Sequence, residues 1–150
     1  MTGPEERGRG GDPWARVRLP GTADPPAAPN VDVLVVDDDF GIRITWAAIL
    51  RGAGYTVAVA EDGEVALRTL QGLDAGLVLL DLRMPRRDGF SVLDAMGERQ
   101  LVVLVSAYAL DEAMWARTGA RVVTYLEKPI MPDRLIDVVA RTLAASRSAS

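Results

Sequence analysis

Three short runs of this chain are apolar almost without a break: VDVLVV at residues 31–36, GLVLL at 76–80 and LVVLV at 101–105. A strand with one wet face alternates apolar and polar residues, so strands of this kind need cover on both faces. Runs of this length suit strands and fall far short of the ~18 residues a membrane span requires. The segments between them carry apolar residues at helical spacing. Residues 40–51 read as a helix closed by Gly52-Ala53-Gly54, and 55–60 as a second strand. Asp62 reads as the cap of a second helix, with Val65, Ala66, Leu67 and Leu70 following at helical intervals. Residues 90–96 and 110–118, the latter stopped by Gly119, read as further helices. Residues 121–126 read as a fifth strand, and 132–145 as a last helix with Pro132 in its first turn. Five strands alternating with five helices predict an α/β fold: a parallel sheet with helices on two faces.

The folded region is expected over residues 31–145. Residues 1–30 hold six of the chain's nine prolines and five of its fourteen glycines, the composition of a disordered tail. Trp14, Val17 and Leu19 are the apolar points of that tail, and residues 146–150 are expected to form a short C-terminal tail. Arg7, Arg9, Arg16 and Arg18 balance Glu5, Glu6, Asp12 and Asp24, so the net charge of −4 belongs to residues 31–150. An acidic balance of this kind argues against nucleic acid as a partner. The first 30 residues contain no apolar stretch of the signal-peptide type, and a cytoplasmic protein without membrane insertion is expected.

The chain has no cysteine and no histidine. Disulfide scaffolds, thiol catalysis, Ser-His-Asp triads and His or Cys metal sites are thereby excluded. Chemistry must rest on carboxylates, hydroxyls, Lys, Arg and oxygen-held metal ions. In open parallel sheets ligands sit at the carboxyl ends of the strands. Those ends carry Asp37-Asp38-Asp39, Asp81, Ser106 and Lys128-Pro129. Each has an ordinary reading as a turn, a helix cap or a solvated charge. Together they bring acid, acid, hydroxyl and ammonium to one edge of one sheet. Lys128 is also the single lysine among 17 basic residues. Clustered carboxylates repel, so they share protons or hold a cation. All-oxygen ligands of this sort suit Mg²⁺, with Mn²⁺ as a substitute, and with the charge neutralised one carboxylate can attack a phosphoryl group.

The ordered set Asp37-Asp38 in VVDDD, LLDLRMPRRDG around Asp81, Ser106-Ala107, and Tyr125 three residues before Lys128-Pro129 resembles the response-regulator receiver domain of two-component signalling. The likeness covers about residues 31–145 and includes the Ala53-Gly54-Tyr55 connection. It implies a flavodoxin-like sheet of order 2-1-3-4-5. It implies that Asp81 is the phosphoacceptor and that Asp37, Asp38, Asp81 and the Arg83 backbone carbonyl hold Mg²⁺. It further implies that Ser106 and Lys128 bind phosphoryl oxygens, that Ser106 and Tyr125 form a switch, and that Pro129 follows a cis peptide bond. The partners implied are a histidine kinase or histidine phosphotransfer protein and a downstream protein target. Contacts run through the face of the fourth helix, fifth strand and fifth helix, where a homodimer is also possible. Such a domain is no conventional enzyme, since it catalyses only its own phosphorylation and dephosphorylation.

Three departures stand out. Gly76 takes a position where the family often has Asp, the connection near residues 97–100 is about three residues short, and two extra residues precede Tyr125. Two rival readings compete. A phosphorylation-independent interaction module would show damage to the acidic, hydroxyl or lysine positions, and none is visible. A metal-dependent phosphatase with an Asp nucleophile would carry D-x-D, whereas Leu82 and Arg83 follow Asp81. The sequence stops at Ser150, five residues past the last expected helix, so a stand-alone regulator is the expectation.

Overall fold

The computed structural model describes residues 30–84, 88–97, 99–119 and 121–149. The expected N-terminal tail up to residue 29, with Trp14, Val17 and Leu19, lies outside the described residues, as do residues 85–87 of the segment after Asp81. Five strands, β1 (Asn30–Val36), β2 (Val57–Ala60), β3 (Asp74–Asp81), β4 (Val102–Ser106) and β5 (Val122–Glu127), alternate with five helices. These are α1 (Phe40–Gly52), α2 (Gly63–Gly72), α3 (Gly89–Ala95), α4 (Glu112–Ala116) and α5 (Pro132–Ala149). All strand pairs are parallel, in the order β2-β1-β3-β4-β5 expected from the resemblance.

The apolar runs are the centre of the sheet, and their alternate residues feed two separate cores. Val33, Val35, Leu77, Leu79, Val103 and Val105 point to one face, against Trp46, Ala47 and Leu50 of α1 and Leu135, Val138, Val139 and Leu143 of α5. Leu34, Val36, Val78, Leu80 and Leu104 point to the other, against Ala66 of α2 and Phe90, Val92 and Leu93 of α3. A fully buried Leu or Val contributes about 1.5–3 kcal/mol by leaving water. Removing any one of these central side chains therefore threatens the whole sheet.

Four of the helices begin in the same way. Asp39, Asp62, Asp88 and Asp111 are N-caps whose side chains accept from the amides of Ile42, Val65, Ser91 and Met114. Each cap satisfies a donor that the helix cannot, for about 1 kcal/mol. At the end of α1, Tyr55 N–H donates to Leu50 O and Gly54 N–H to Arg51 O. Gly54 sits at φ 101, the left-handed conformation such a closure requires.

Several boundaries differ from the sequence expectation. β2 starts at Val57 because Tyr55 is tied to Leu50 and Thr56 exchanges bonds with Asp32: Thr56 N–H donates to Asp32 Oδ2 at 2.8 Å and Asp32 N–H to Thr56 Oγ1 at 2.8 Å. The first strand takes in Asn30, which pairs with Asp74. α4 is only five residues long: the Asp111 cap delays its start, and Thr118, whose amide and hydroxyl both donate to Trp115 O, closes it before Gly119 at φ 80. α5 continues past Ala145 to Ala149, so the expected tail at 146–150 is helix for all but the last residue, which lies outside the described set. The run ARTLAASRSA contains no Gly or Pro to stop it. β5 carries a bulge two residues before Tyr125. Val102 pairs with Val122 but Val103 pairs with Thr124, and Val123 stands out from the sheet. The unusual Gly76 also has a packing cause. A Cβ there would lie 2.9 Å from Leu143 Cδ2 and 3.1 Å from the Asp32 carbonyl.

Candidate functional site

The carboxyl ends of β1, β3, β4 and β5 converge because the strands are parallel and in register. Val36 is level with Leu80, Asp81 with Val105, and Ser106 with Glu127. One step beyond each end therefore brings Asp37, Asp81, Ser106 and Lys128 to one rim. Carboxylate oxygens of Asp37, Asp38 and Asp81 lie within 4.8 Å of one another. Asp37 and Asp81 are buried while Asp38 is exposed. Lys128 Nζ lies 2.9 Å from Asp37 Oδ2 and 3.5 Å from Asp81 Oδ2. Backbone groups fix the rest. Asp39 N–H donates to Asp37 Oδ1 (2.9 Å), Arg83 N–H to Asp81 Oδ1 (3.2 Å), and Lys128 N–H to the Ser106 carbonyl (2.7 Å). The Lys128–Pro129 peptide bond is cis.

Ser106 is buried, and its Oγ accepts from Tyr108 N–H at 3.0 Å, which leaves the hydroxyl proton free to donate elsewhere. Strand alternation puts Ser106 on the same sheet face as Leu104, whose β5 neighbour is Tyr125. Tyr125 is half-buried there, its ring centroid 5.9 Å from that of Trp115 in α4. The expected hydroxyl and aromatic of the switch thus share one face, between the acidic rim and α4. Arg83 is placed by its amide on Asp81, and its side chain reaches outward to solvent.

The electrostatics suit a cation. Burial first, and then the Asp37 charge, push the Asp81 carboxyl up from 3.8 to about 6, against weaker pulls from the Arg83 amide and Lys128. Burial works against the Lys128 ammonium, but contact with Asp37 and the charges of Asp81 and Asp37 outweigh it, and its pKa is raised. Asp37 Oδ2 is buried and makes no hydrogen bond of good direction, despite the nearby ammonium. A buried carboxylate oxygen left this way costs free energy that a better-directed or more highly charged cation would recover. Three carboxylates against one ammonium leave two negative charges, which a hard, oxygen-seeking divalent ion neutralises.

A pH dependence follows for the metal-free protein. Because the folded Asp81 pKa lies above its unfolded value, the associated stability is fully present below about pH 3.8 and lost as pH rises through about 6. In chelator, Asp81→Asn should be more stable than wild type at pH 7.5 by roughly 1–3 kcal/mol. Urea unfolding at pH 7.5 and pH 5 checks this. The wild type should gain on that pH change and the variant much less; parallel behaviour of the two proteins would refute the assignment.

Two contributors to this geometry were not singled out from the sequence. Arg43 of α1 donates to the Asp37 carbonyl at 2.8 Å and so anchors the acidic turn from the helix side. Gly89 donates to the Leu82 carbonyl at 3.0 Å, and any Cβ on it would stand 2.7 Å from Leu82 Cα and 2.9 Å from the Asp81 carbonyl. The DG pair after Asp81 was the available signal: cap first, then a residue without a side chain.

Comparison with known proteins places these features. The family model described as the response regulator receiver domain matches residues 33–140. The transcriptional regulatory protein ZraR of Escherichia coli (strain K12) is 38% identical over 124 residues, which cover 79% of this chain and 28% of that protein. The transcriptional regulatory protein PdtaR of Mycobacterium tuberculosis (strain ATCC 25618 / H37Rv) is 32% identical over 129 residues, 84% of this chain and 62% of that one. The chain thus spans little more than a quarter of ZraR and under two-thirds of PdtaR. Among solved structures, the receiver domain of NtrX from Brucella abortus superposes with a TM-score of 0.68 at 33% identity, covering 75% of this chain and 98% of that one. No described helix is long and apolar enough to cross a membrane. With its acidic rim, sheet order and matched residues in agreement, this chain belongs to the response regulator receiver domain family of two-component signalling.

Proposed function

We propose that Asp81 accepts a phosphoryl group from the phosphohistidine of a histidine kinase or histidine phosphotransfer protein. The observation that carries this reading is the buried Asp81 carboxylate, flanked by the hydrogen-bond-starved Asp37 Oδ2 and by the Lys128 ammonium 3.5 Å away. Asp37, Asp38, Asp81 and the Arg83 carbonyl would hold Mg²⁺, or Mn²⁺ in its place. A divalent ion bound there supplies charge neutralisation for the carboxylates and the incoming phosphoryl oxygens.

The chain's own groups do the rest. An Asp81 oxygen forms a bond to phosphorus while the phosphorus–nitrogen bond breaks and its electron pair stays with the departing imidazole. The Ser106 hydroxyl, already oriented by the Tyr108 amide, donates to one phosphoryl oxygen. Lys128 exchanges its hold on Asp37 for a second. Positioning and charge account for most of what such a transfer needs. Movement of Ser106 toward the phosphoryl group frees space on the sheet face it shares with Tyr125. The ring can then turn inward, away from Trp115, and alter the α4–β5–α5 surface that meets a downstream protein or a second copy of the chain.

Incubation with acetyl phosphate and Mg²⁺ should give a retarded species on phosphate-affinity gels. It should be absent with EDTA and absent in Asp81→Asn. Equal retardation in all lanes would exclude Asp81 as the acceptor.

A further inference from the structure

A groove opens at the end of the sheet opposite the acidic rim. Leu67 and Leu70 of α2, Leu73 after it and Met96 after α3 line a space of about 460 Å³, together with the exposed Asp74 and Arg99. The three leucines are only half-buried. The short connection at residues 97–100 leaves the groove open: α3 ends at Ala95, and Gln100 N–H already donates to the Gly97 carbonyl at 3.1 Å in the turn into β4. An apolar hollow of this size with polar groups beside it suits an apolar side chain better than water. Asp74 opens β3 and Asp81 closes it, so the groove lies about 23 Å from the acceptor carboxylate.

The chain itself brings an occupant to this place. β1 begins at Asn30, whose register partner is Asp74, so residues 1–29 enter the fold beside the groove. They include Trp14-Ala15-Arg16-Val17-Arg18-Leu19, in which three large apolar residues stand around two arginines. The charges match in kind. The residues from 31 on carry the whole net charge of −4, Asp74 is exposed in the groove wall, and Asp12, close before Trp14, is a counter-charge for Arg99. We propose that Trp14, Val17 and Leu19 seat in this groove, with Arg16 and Arg18 toward Asp74, and hold the N-terminal segment at the far end of the domain from Asp81. The stretch from Trp14 to Asn30 reaches up to about 50 Å, ample for the seat. Burial of the Trp14 ring removes about 150–250 Å² from water, the largest contribution the segment makes. Because the segment is tethered, its effective concentration at the groove is of millimolar order, and a weak intrinsic affinity is enough to fill it.

A chain without cysteine makes the seat directly testable. In the full-length protein Ala15→Cys is paired either with Gln71→Cys, in the groove lining, or with Arg141→Cys, exposed on α5 across the sheet. Both variants are oxidised at low protein concentration, and the intramolecular disulfide is followed on non-reducing gels. The groove pair should close at least about tenfold faster than the α5 pair, and adding Trp14→Ser should erase the difference. Limited trypsin digestion needs no change in the groove. Wild type should be cut after Arg7 and Arg9 well before Arg16 and Arg18, whereas Trp14→Ser should be cut at all four alike. Equal closure of the two pairs, a difference that survives Trp14→Ser, or one digestion pattern for wild type and Trp14→Ser would overturn the seat. Disulfide-linked dimers in place of the intramolecular product would assign the groove to the segment of a second copy and overturn it as well. No step of the test involves phosphate, so its failure leaves the reading of Asp81 untouched.

Discussion

Lys128→Ala is expected to tighten Mg²⁺ binding at least about tenfold while making the metal-free protein less stable by about 1–3 kcal/mol. The two effects have one origin. In the absence of metal the ammonium lies 2.9 Å from Asp37 Oδ2 and is the nearest counter-charge to a fully buried carboxylate. Without it, Asp37 and Asp81 repel each other with nothing between them. The same ammonium stands where a metal ion would draw on Asp37, and two cations within a few ångströms oppose each other by more than 1.4 kcal/mol even after generous screening. Titration calorimetry with MgCl₂ and urea unfolding in EDTA measure the two sides separately. Weaker metal binding by the variant would mean that the lysine supports the metal site rather than competing with it. Lys128→Arg keeps the charge, so metal binding should change little. A planar fork, however, replaces a point charge at the phosphoryl oxygen, and signalling by the phosphorylated form should suffer.

Gly89→Ala should lower the rate of Asp81 phosphorylation by tenfold or more, and stability by about 1–3 kcal/mol, although the residue touches no reacting atom. The added Cβ collides with Leu82 Cα and the Asp81 carbonyl, which are backbone and cannot swing aside. Either α3 withdraws, opening the packing of Phe90 and Leu93, or the strand end that carries Asp81 shifts out of line with Ser106 and Lys128. Gly76→Ala is the informative control. It also crowds a neighbour, Leu143 Cδ2 at 2.9 Å, but at the other end of β3. It should cost stability and leave phosphorylation near normal. Equal losses of phosphorylation in the two variants would trace the Gly89 effect to folding alone.

Much of this arrangement was legible in the residues. Runs such as LVVLV could only be strands covered on both faces, and the Asp caps of α1 and α2 could be read from their position before apolar spacing. The acidic rim was legible because a parallel sheet sends all its carboxyl ends to one side, so four separate motifs had to meet. What sequence could not show depended on contacts distant along the chain. Asp32 and Thr56 lock together and shorten β2, and Leu143 of α5 excludes a side chain at Gly76. α5 runs past Ala145 because no breaker follows, and a helix end without a stop signal is poorly marked in sequence. The role of Gly89 was hidden for the opposite reason: a glycine after Asp is the usual mark of a turn, and only the 2.7 Å approach to Leu82 shows what the missing side chain permits.

The bulge at Val123 has a bearing on the open border of the sheet. β5 is an outer strand of the sheet, with β4 as its only neighbour among the described residues, and an outer strand offers a row of free amides and carbonyls to any other extended chain. Where Val102 steps to Val103 on one side, the partner strand steps from Val122 to Thr124 on the other, and the row is broken near its start. A second chain laid alongside would fall out of register within two residues. Growth by strand addition, the route to stacked aggregates, is therefore blocked at this border of the sheet. Molecules that come together here must recognise one another through side chains such as Trp115 and Tyr125, which can be rearranged, rather than through the backbone, which cannot.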